Sequence, residues 1–297
     1  MIEFHEPVMV SEVMRHLLSR PREVVVDCTV GDGGHSLEVL SRTKGTFVVG
    51  VDVDSEAVAV SRMRLGESFP GRFVVTKGDY RELPTVLAKL GIPAIDGALY
   101  DLGVSSRQLD APERGFSYWG EGPLDMRMDR ESAFTAREIL NTWSEEEIGR
   151  ILRDYGEERF SARISREIVR AREEGPLETA KDLVAVIKRA VPGPARRGAT
   201  HPARRTFQAL RIAANDELSR LGTSLERAFG LLRPGGAMAV LSYHSLEDRI
   251  VKSVVKSLAD RGLVKKLTRR PETASEAEVS RNARSRSAKL RAIEKVP

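Results

Sequence analysis

The chain has 297 residues, 41% of them hydrophobic, and 48 Lys and Arg against 43 Asp and Glu leave a net charge of +5. That apolar content supports a sizeable core and excludes an intrinsically disordered chain, while the length fits two domains or one domain carrying an insertion. No apolar run nears the ~20 residues of a bilayer span, the charged MIEFHEPVMVSEV start is no signal peptide, and a lone Cys28 makes neither disulfide nor zinc site, which points to a soluble cytoplasmic protein.

Short β-branched runs alternate with helical patterns through the first hundred residues. The runs at 24–27, 47–52, 72–76 and 95–100 predict strands, and 36–40, 55–63 and 83–90 predict the helices between them. Nearly continuous apolar strands alternating with helices predict a parallel sheet covered on both faces. The rhythm then breaks, and no strand candidate returns before 237–242. Helix signals fill the gap. Ser144 with Glu147 forms a capping box ahead of Ile148, Ile151 and Leu152, and Thr179 with Asp182 caps a helix carrying Leu183, Val184 and Ile187. Phe160, Ile164 and Ile168 share a helical face that stops at Gly175-Pro176. A crossover of this length is no plain loop; it predicts a helical domain inserted between two strands. Beyond it, a helix from about Asp216 to Leu232 precedes the strand at 237–242, Ser245 with Asp248 caps the next helix, and 264–268 and 287–293 predict a final antiparallel pair.

The glycine turn Val30-Gly31-Asp32-Gly33-Gly34-His35 follows the first strand and opens a helix, so a ligand can lie against the main chain there. It lacks the Lys-Ser/Thr ending of a P-loop and the register of a dinucleotide fingerprint. Asp52 and Asp54 end the second strand, where one of them can hold ribose hydroxyls. A ribose acid without a pyrophosphate turn fits S-adenosylmethionine; the plain alternative is a strand–turn–helix without ligand. At the end of the third strand Asp79 could reach an adenine amine, and the Tyr80 ring either lies against the base or packs in the core. Asp101 ends the fourth strand, where reacting groups collect in open α/β sheets. No His, Asp and Glu set has ligand spacing, so no metal is expected.

Positive charge is clustered. Lys188, Arg189, Arg196, Arg197, Arg204, Arg205 and Arg211 lie in a stretch without acids, and 281–295 is also basic apart from Glu294. Such clusters mark phosphate contact or, equally, a solvated linker. His201 beside Arg204 and Arg205 either meets RNA or ends a loop, and His244 borders the pocket or supports the cap that follows it.

The strings D-C-T-V-G-D-G-G-H-S, Y-D-L-G-V-S-S-x-Q-L-D, E-R-G-F-S, G-P-L-D-M-R-M-D, Y-G-E-E-R-F, T-H-P-A-R-R-T-F-Q-A-L-R-I and S-Y-H-S-L-E-D-R-I-V-K stand in this order along the chain. In them the chain resembles the bacterial 16S ribosomal RNA cytosine-N4 methyltransferases of the MraW type. The resemblance implies an α/β, class I (Rossmann-like) methyltransferase sheet in two parts, 1–105 and 207–297, around an all-helical substrate-recognition domain at 106–206. It implies S-adenosylmethionine as cofactor, held by Gly33, Gly34, His35, Asp52, Tyr80, Asp101 and Gln108, and 16S ribosomal RNA within the small subunit as partner, with a homodimer allowed. Some members carry phenylalanine at the Tyr80 position, which keeps a stacking role and not a hydroxyl role. Arg196, Arg197, His201, Arg204 and Arg205 are the RNA-contact candidates, and Asp101 and His244 the catalytic ones. An N4 amine is a weak nucleophile, so the chemistry needs alignment and a hydrogen-bond acceptor, Asp101 or a nearby carbonyl. The chain lacks the D-P-P-Y tetrad of amino-directed DNA enzymes, having Asp101-Leu102-Gly103-Val104 instead. Two other readings stand beside this one: a non-catalytic RNA-binding assembly factor, and a methyltransferase acting on DNA or protein.

Overall fold

The computed structural model describes residues 4–196 and 201–297. The chain forms two compact units, one of Met1–Gly103 with Leu218–Pro297 and one of Val104–Glu217.

The first unit opens with α1 (Val10–Leu17), which the sequence reading leaves unassigned, then runs β1 (Val24–Asp27), α2 (Gly34–Arg42), β2 (Phe47–Asp52), α3 (Ser55–Gly66), β3 (Phe73–Lys77), a 3-10 turn at Tyr80–Glu82, α4 (Leu83–Lys89) and β4 (Ile95–Asp101). The first three strands are rich in β-branched residues, and α3 starts on a side-chain cap, the Asp54 carboxylate accepting from Glu56 N.

The second unit holds α5 (Ser106–Asp110), α6 (Ala136–Thr142), α7 (Glu145–Asp154), α8 (Ser161–Glu174), α9 (Ala180–Ala190), α10 (Gly193–Arg196) and α11 (Arg204–Asn215). The expected boxes Ser144/Glu147 and Thr179/Asp182 cap α7 and α9. Leu140, Ile148, Leu152, Ile164, Ile168, Leu183, Ile187 and Phe207 form its core. This unit ends at Glu217 and not at 206, because Phe207 and Leu210 of α11 belong to its core and Arg211 pairs with Glu217 at 2.9 and 3.0 Å.

The chain returns to the first unit through α12 (Leu221–Leu231), β5 (Leu232–Ser242), α13 (Ser245–Asp260), β6 (Val264–Lys266), β7 (Glu272–Thr273), α14 (Glu276–Arg281) and β8 (Lys289–Lys295). The helix expected from about Asp216 starts at Leu221 instead, since Asp216 adopts a left-handed conformation (φ 49°) that ends α11. The described strands order β3-β2-β1-β4-β5-β8-β6, with β7 on β8. From β3 to β5 all pairs are parallel, and β8 runs antiparallel to both β5 and β6. The final strands do pair antiparallel, with β8 slotted in beside β5.

Residue parity splits the sheet into two buried faces. Val26, Val49, Val51, Ala98, Tyr100, Met238 and Val240 pack with α4, α12 and α13, while Val25, Val48, Leu99, Ala239 and Leu241 pack with α1, α2 and α3. The chain leaves β1 toward β2 and β3, then crosses to β4 on the other side. Open α/β sheets bind ligands outside the carboxyl ends of their strands at such a reversal. Among the described residues no helix is long and apolar enough to cross a membrane.

Candidate active site

The glycine turn is built by β1 and the start of α2. Asp27 is buried, and its carboxylate accepts from the Ser36 hydroxyl at 2.8 Å and the Thr29 amide at 3.3 Å. The Thr29 hydroxyl accepts from Asp101 N at 2.7 Å, tying the ends of β1 and β4 together. Gly33 sits at φ 76° before α2, where a Cβ would stand 3.2 Å from that of Ser61, and Gly34 packs against Pro7.

Asp101 is the meeting point. Its Oδ1 accepts from the Tyr243 hydroxyl at 2.6 Å, and its Oδ2 lies 3.6 Å from His35 Nδ1. His35 is buried, and Nε2 is 2.9 Å from the Val8 carbonyl, which only an N–H can satisfy. With that N–H committed to Val8, Nδ1 is the ring atom that faces Asp101, and a proton on either group makes that contact attractive. Burial raises the Asp101 pKa, while the His35 charge and the Tyr243 hydroxyl pull it back. Burial also pushes the Tyr243 phenol well above its usual range, so it stays a donor. The Asp101 side chain remains 26% exposed, leaving its outer lone pairs open.

At the next strand end, Asp52 Oδ2 accepts from Gly31 N at 2.9 Å and Oδ1 from Asp54 N at 3.0 Å. Burial pushes the Asp52 carboxyl up to about 6 against those two amides. Each oxygen keeps a second lone pair, so the carboxylate matches a vicinal diol. Asp54 is fully buried and spent on the α3 cap. Asp79, the candidate for an adenine amine, caps the turn that follows β3 and accepts from Arg81 through its backbone (2.8 Å) and side chain (2.5 Å). Tyr80 is half-buried and meets Tyr100 edge to face at 5.6 Å. Cys28 is buried and burial raises its thiol pKa, so it stays protonated.

Tyr243 owes its place to the start of α13. Glu247 Oε2 accepts from Tyr243 N at 2.7 Å and His244 N at 3.3 Å, and His244 Nδ1 faces Glu247 N at 3.4 Å. The cap is therefore His244 with Glu247, one residue earlier than Ser245 with Asp248, and Asp248 pairs instead with Arg291 (2.7 Å) and Lys289 (3.4 Å). His244 Nε2 lies 3.0 Å from Glu247 Oε1 but out of line for a hydrogen bond, so both ring nitrogens face this cap. In the sequence Tyr243 stands out only as part of the string S-Y-H-S-L-E-D, and its bond to Asp101 is not legible there.

The other candidates lie in the helical unit. Gln108 is buried and closes a capping box with Ser105 on α5. Arg196 and Arg204 are exposed, Arg205 donates to the Glu157 carbonyl at 3.0 Å, and Arg197 lies outside the described residues. His201 Nδ1 accepts from Ala203 N at 3.3 Å. Among the described residues no group of His, Cys, Asp and Glu could hold a metal ion.

A doubly wound parallel sheet with an antiparallel strand beside β5, and acids gathered at the carboxyl ends of β1, β2 and β4, defines a class I methyltransferase domain. The sequence profile of the MraW methylase family matches residues 3–296, and the chain belongs to that family. It is 47% identical to a protein of Symbiobacterium thermophilum named ribosomal RNA small subunit methyltransferase H, over 98% of this chain and 96% of that one. A protein of the same name from Geobacter sulfurreducens is also 47% identical, over 98% and 99% of the two chains. Among solved structures, an rRNA methylase of Streptococcus thermophilus is 11% identical over 93% of this chain and 87% of that one, with a TM-score of 0.41. The chain is a methyltransferase.

Proposed function

We propose that the chain methylates the exocyclic N4 amine of a decoding-centre cytidine in 16S ribosomal RNA, drawing on S-adenosylmethionine. The single observation that carries the chemistry is Asp101, a partly exposed carboxylate at a strand end, held by a phenol donor on one oxygen and faced by an imidazole on the other. The ribosomal substrate rests on the names of the relatives and on the family motifs.

S-adenosylmethionine, when bound, supplies an electrophilic methyl group and takes back the electron pair of the broken carbon–sulfur bond. Asp52 fits its ribose diol, the Tyr80 ring fits its adenine, and Gly33 and Gly34 supply close main-chain approach. Asp101 then accepts a hydrogen bond from the cytosine amine, which turns the nitrogen lone pair out of the ring and toward the methyl carbon. As the N–C bond forms, the nitrogen becomes acidic and its proton passes to Asp101, whose burial already favours the protonated form. Tyr243 and His35 fix the carboxylate in place, while His244 serves the α13 cap and Gln108 the α5 cap. All residues of this chemistry come from one unit of one chain, so a homodimer is not required for it. A base inside a stack must leave it to reach such a site.

The test is methyl transfer from radiolabelled S-adenosylmethionine to small subunits of an unmodified strain, followed by nucleoside mass analysis. N4-methylcytidine is the expected product. Label in another nucleoside, or none, overturns the assignment.

A further inference from the structure

Trp119 is the most exposed of the large apolar side chains among the described residues, at 69%. It does not stand alone. Its ring lies 4.8 Å from the His201 imidazole, and that imidazole stacks flat on Tyr118, with centroids 4.7 Å apart and planes within 5°. Tyr118 in turn meets buried Phe207 edge to face at 5.8 Å. A ladder of rings thus climbs from the core of the helical unit to its surface and ends on an open indole.

The loop that presents this indole is fixed at both ends. A Cβ on Gly115 would stand 2.0 Å from the Pro123 carbonyl oxygen, and one on Gly122 2.1 Å from that of Pro112, so the backbone packs where no side chain fits. Trp119 N donates to Ser117 Oγ at 3.1 Å, and the Gly122 carbonyl accepts from Ala180 N at 2.8 Å. A surface ordered in advance loses little freedom on binding. The loop's acid, Glu121, is paired with Lys181 at 2.5 Å. Burial first, then the Lys188 charge, keeps the His201 pKa below its usual value, which favours a neutral imidazole, and Lys188 itself is exposed on α9. Arg204 is exposed and its amide donates to the His201 carbonyl at 3.1 Å.

A flat exposed ring flanked by cations is the chemistry that recognises single-stranded nucleic acid, in which each base offers a π face and each linkage a phosphate. We propose that Trp119, backed by the Tyr118–His201 stack, is a platform for one unpaired base of RNA, with Lys188 and Arg204 taking the neighbouring phosphates. A protein partner fits less well, because Trp119 is the one exposed large apolar side chain of this loop, and the exposed residues of the helices α9 and α11 behind it include the cations Lys188 and Arg204. The inference rests on the RNA substrate proposed above.

The test compares wild type with Trp119→Ala, Trp119→Leu and Trp119→Phe, using a fluorescent single-stranded RNA oligonucleotide and unmodified small subunits. The Ala and Leu variants are expected to bind the oligonucleotide about tenfold more weakly and to raise KM for subunits, with S-adenosylmethionine affinity and Tm unchanged. Phe is expected to restore most of the loss. Leu matching wild type overturns stacking, and so does Ala matching wild type while wild type methylates subunits normally. A defect on assembled subunits that vanishes on protein-free RNA assigns the ring to a protein and overturns the proposal too. A wild type that neither binds RNA nor methylates subunits fails the substrate reading itself, and the platform with it.

Discussion

Burial favours a neutral Asp101, and the Tyr243 hydroxyl on Oδ1 favours the carboxylate, so the charge of this residue is a balance. Tyr243→Phe keeps the ring and removes the donor. The Asp101 pKa then rises, the acid limb of kcat against pH moves to higher pH, and kcat at neutral pH falls about tenfold, as expected for losing a hydrogen bond worth ~1.5 kcal/mol or more. A profile that superimposes on wild type would exclude Tyr243 as a positioning residue. Asp52 makes a second prediction. Its carboxyl titrates at about 6, and only the ionised form accepts from both hydroxyls of a diol. S-adenosylmethionine affinity should therefore be flat above pH 7 and weaken as pH falls through 6; calorimetry should find that break absent in Asp52→Asn. Asp52, Asp79 and Asp101 could be singled out because each is an acid at a strand end after an apolar run; that Arg81, two residues on, pairs with Asp79 is a local contact such a pattern does not encode. Tyr243 was beyond reading because its partner lies 142 residues away.

Elements were legible in type and less so in edge. The boxes Ser144/Glu147 and Thr179/Asp182 fell where spacing put them, because both partners sit within one turn. At α13 two boxes compete one residue apart. Spacing alone allowed Ser245 with Asp248, but Arg291 and Lys289 on β8 take Asp248, and His244 with Glu247 caps the helix. Likewise no glycine or proline marks the break at Asp216, where an aspartate takes the left-handed cap. Glu247 is buried and holds the amides of both Tyr243 and His244. Glu247→Ala should therefore cost about 1–2 kcal/mol in urea unfolding and also lower kcat, because Tyr243 loses its anchor. Lost stability with unchanged kcat would separate the cap from the chemistry.

Across the whole chain, alternation made the parallel sheet readable, whereas the seat of β8 between β5 and β6 depends on long-range pairing that no local pattern encodes. Charge shows the same limit. Seven basic residues in an acid-free stretch look alike in sequence, but the fold spends some of them. Arg211 is held in a two-pronged pair with Glu217, with side chains only 16% and 9% exposed, and Arg189 lies 3.8 Å from Glu167. Lys188, Arg196 and Arg204 remain exposed, and they are the cations that the proposed RNA contact would use. Three contacts to single-stranded RNA give a slope of about −2 for log affinity against log salt. The double variant Arg196→Ala, Arg204→Ala should flatten that slope by roughly 1.4, with Tm unchanged. Arg211→Ala should do the reverse, leaving the slope alone while destabilising the protein by about 3 kcal/mol, because Glu217 is left buried without its partner. Filter binding from low to high salt beside denaturant unfolding separates the two roles. A slope that Arg211→Ala flattens as much as the double variant would mean that the pair opens to RNA, and that its burial does not decide which cations serve phosphate.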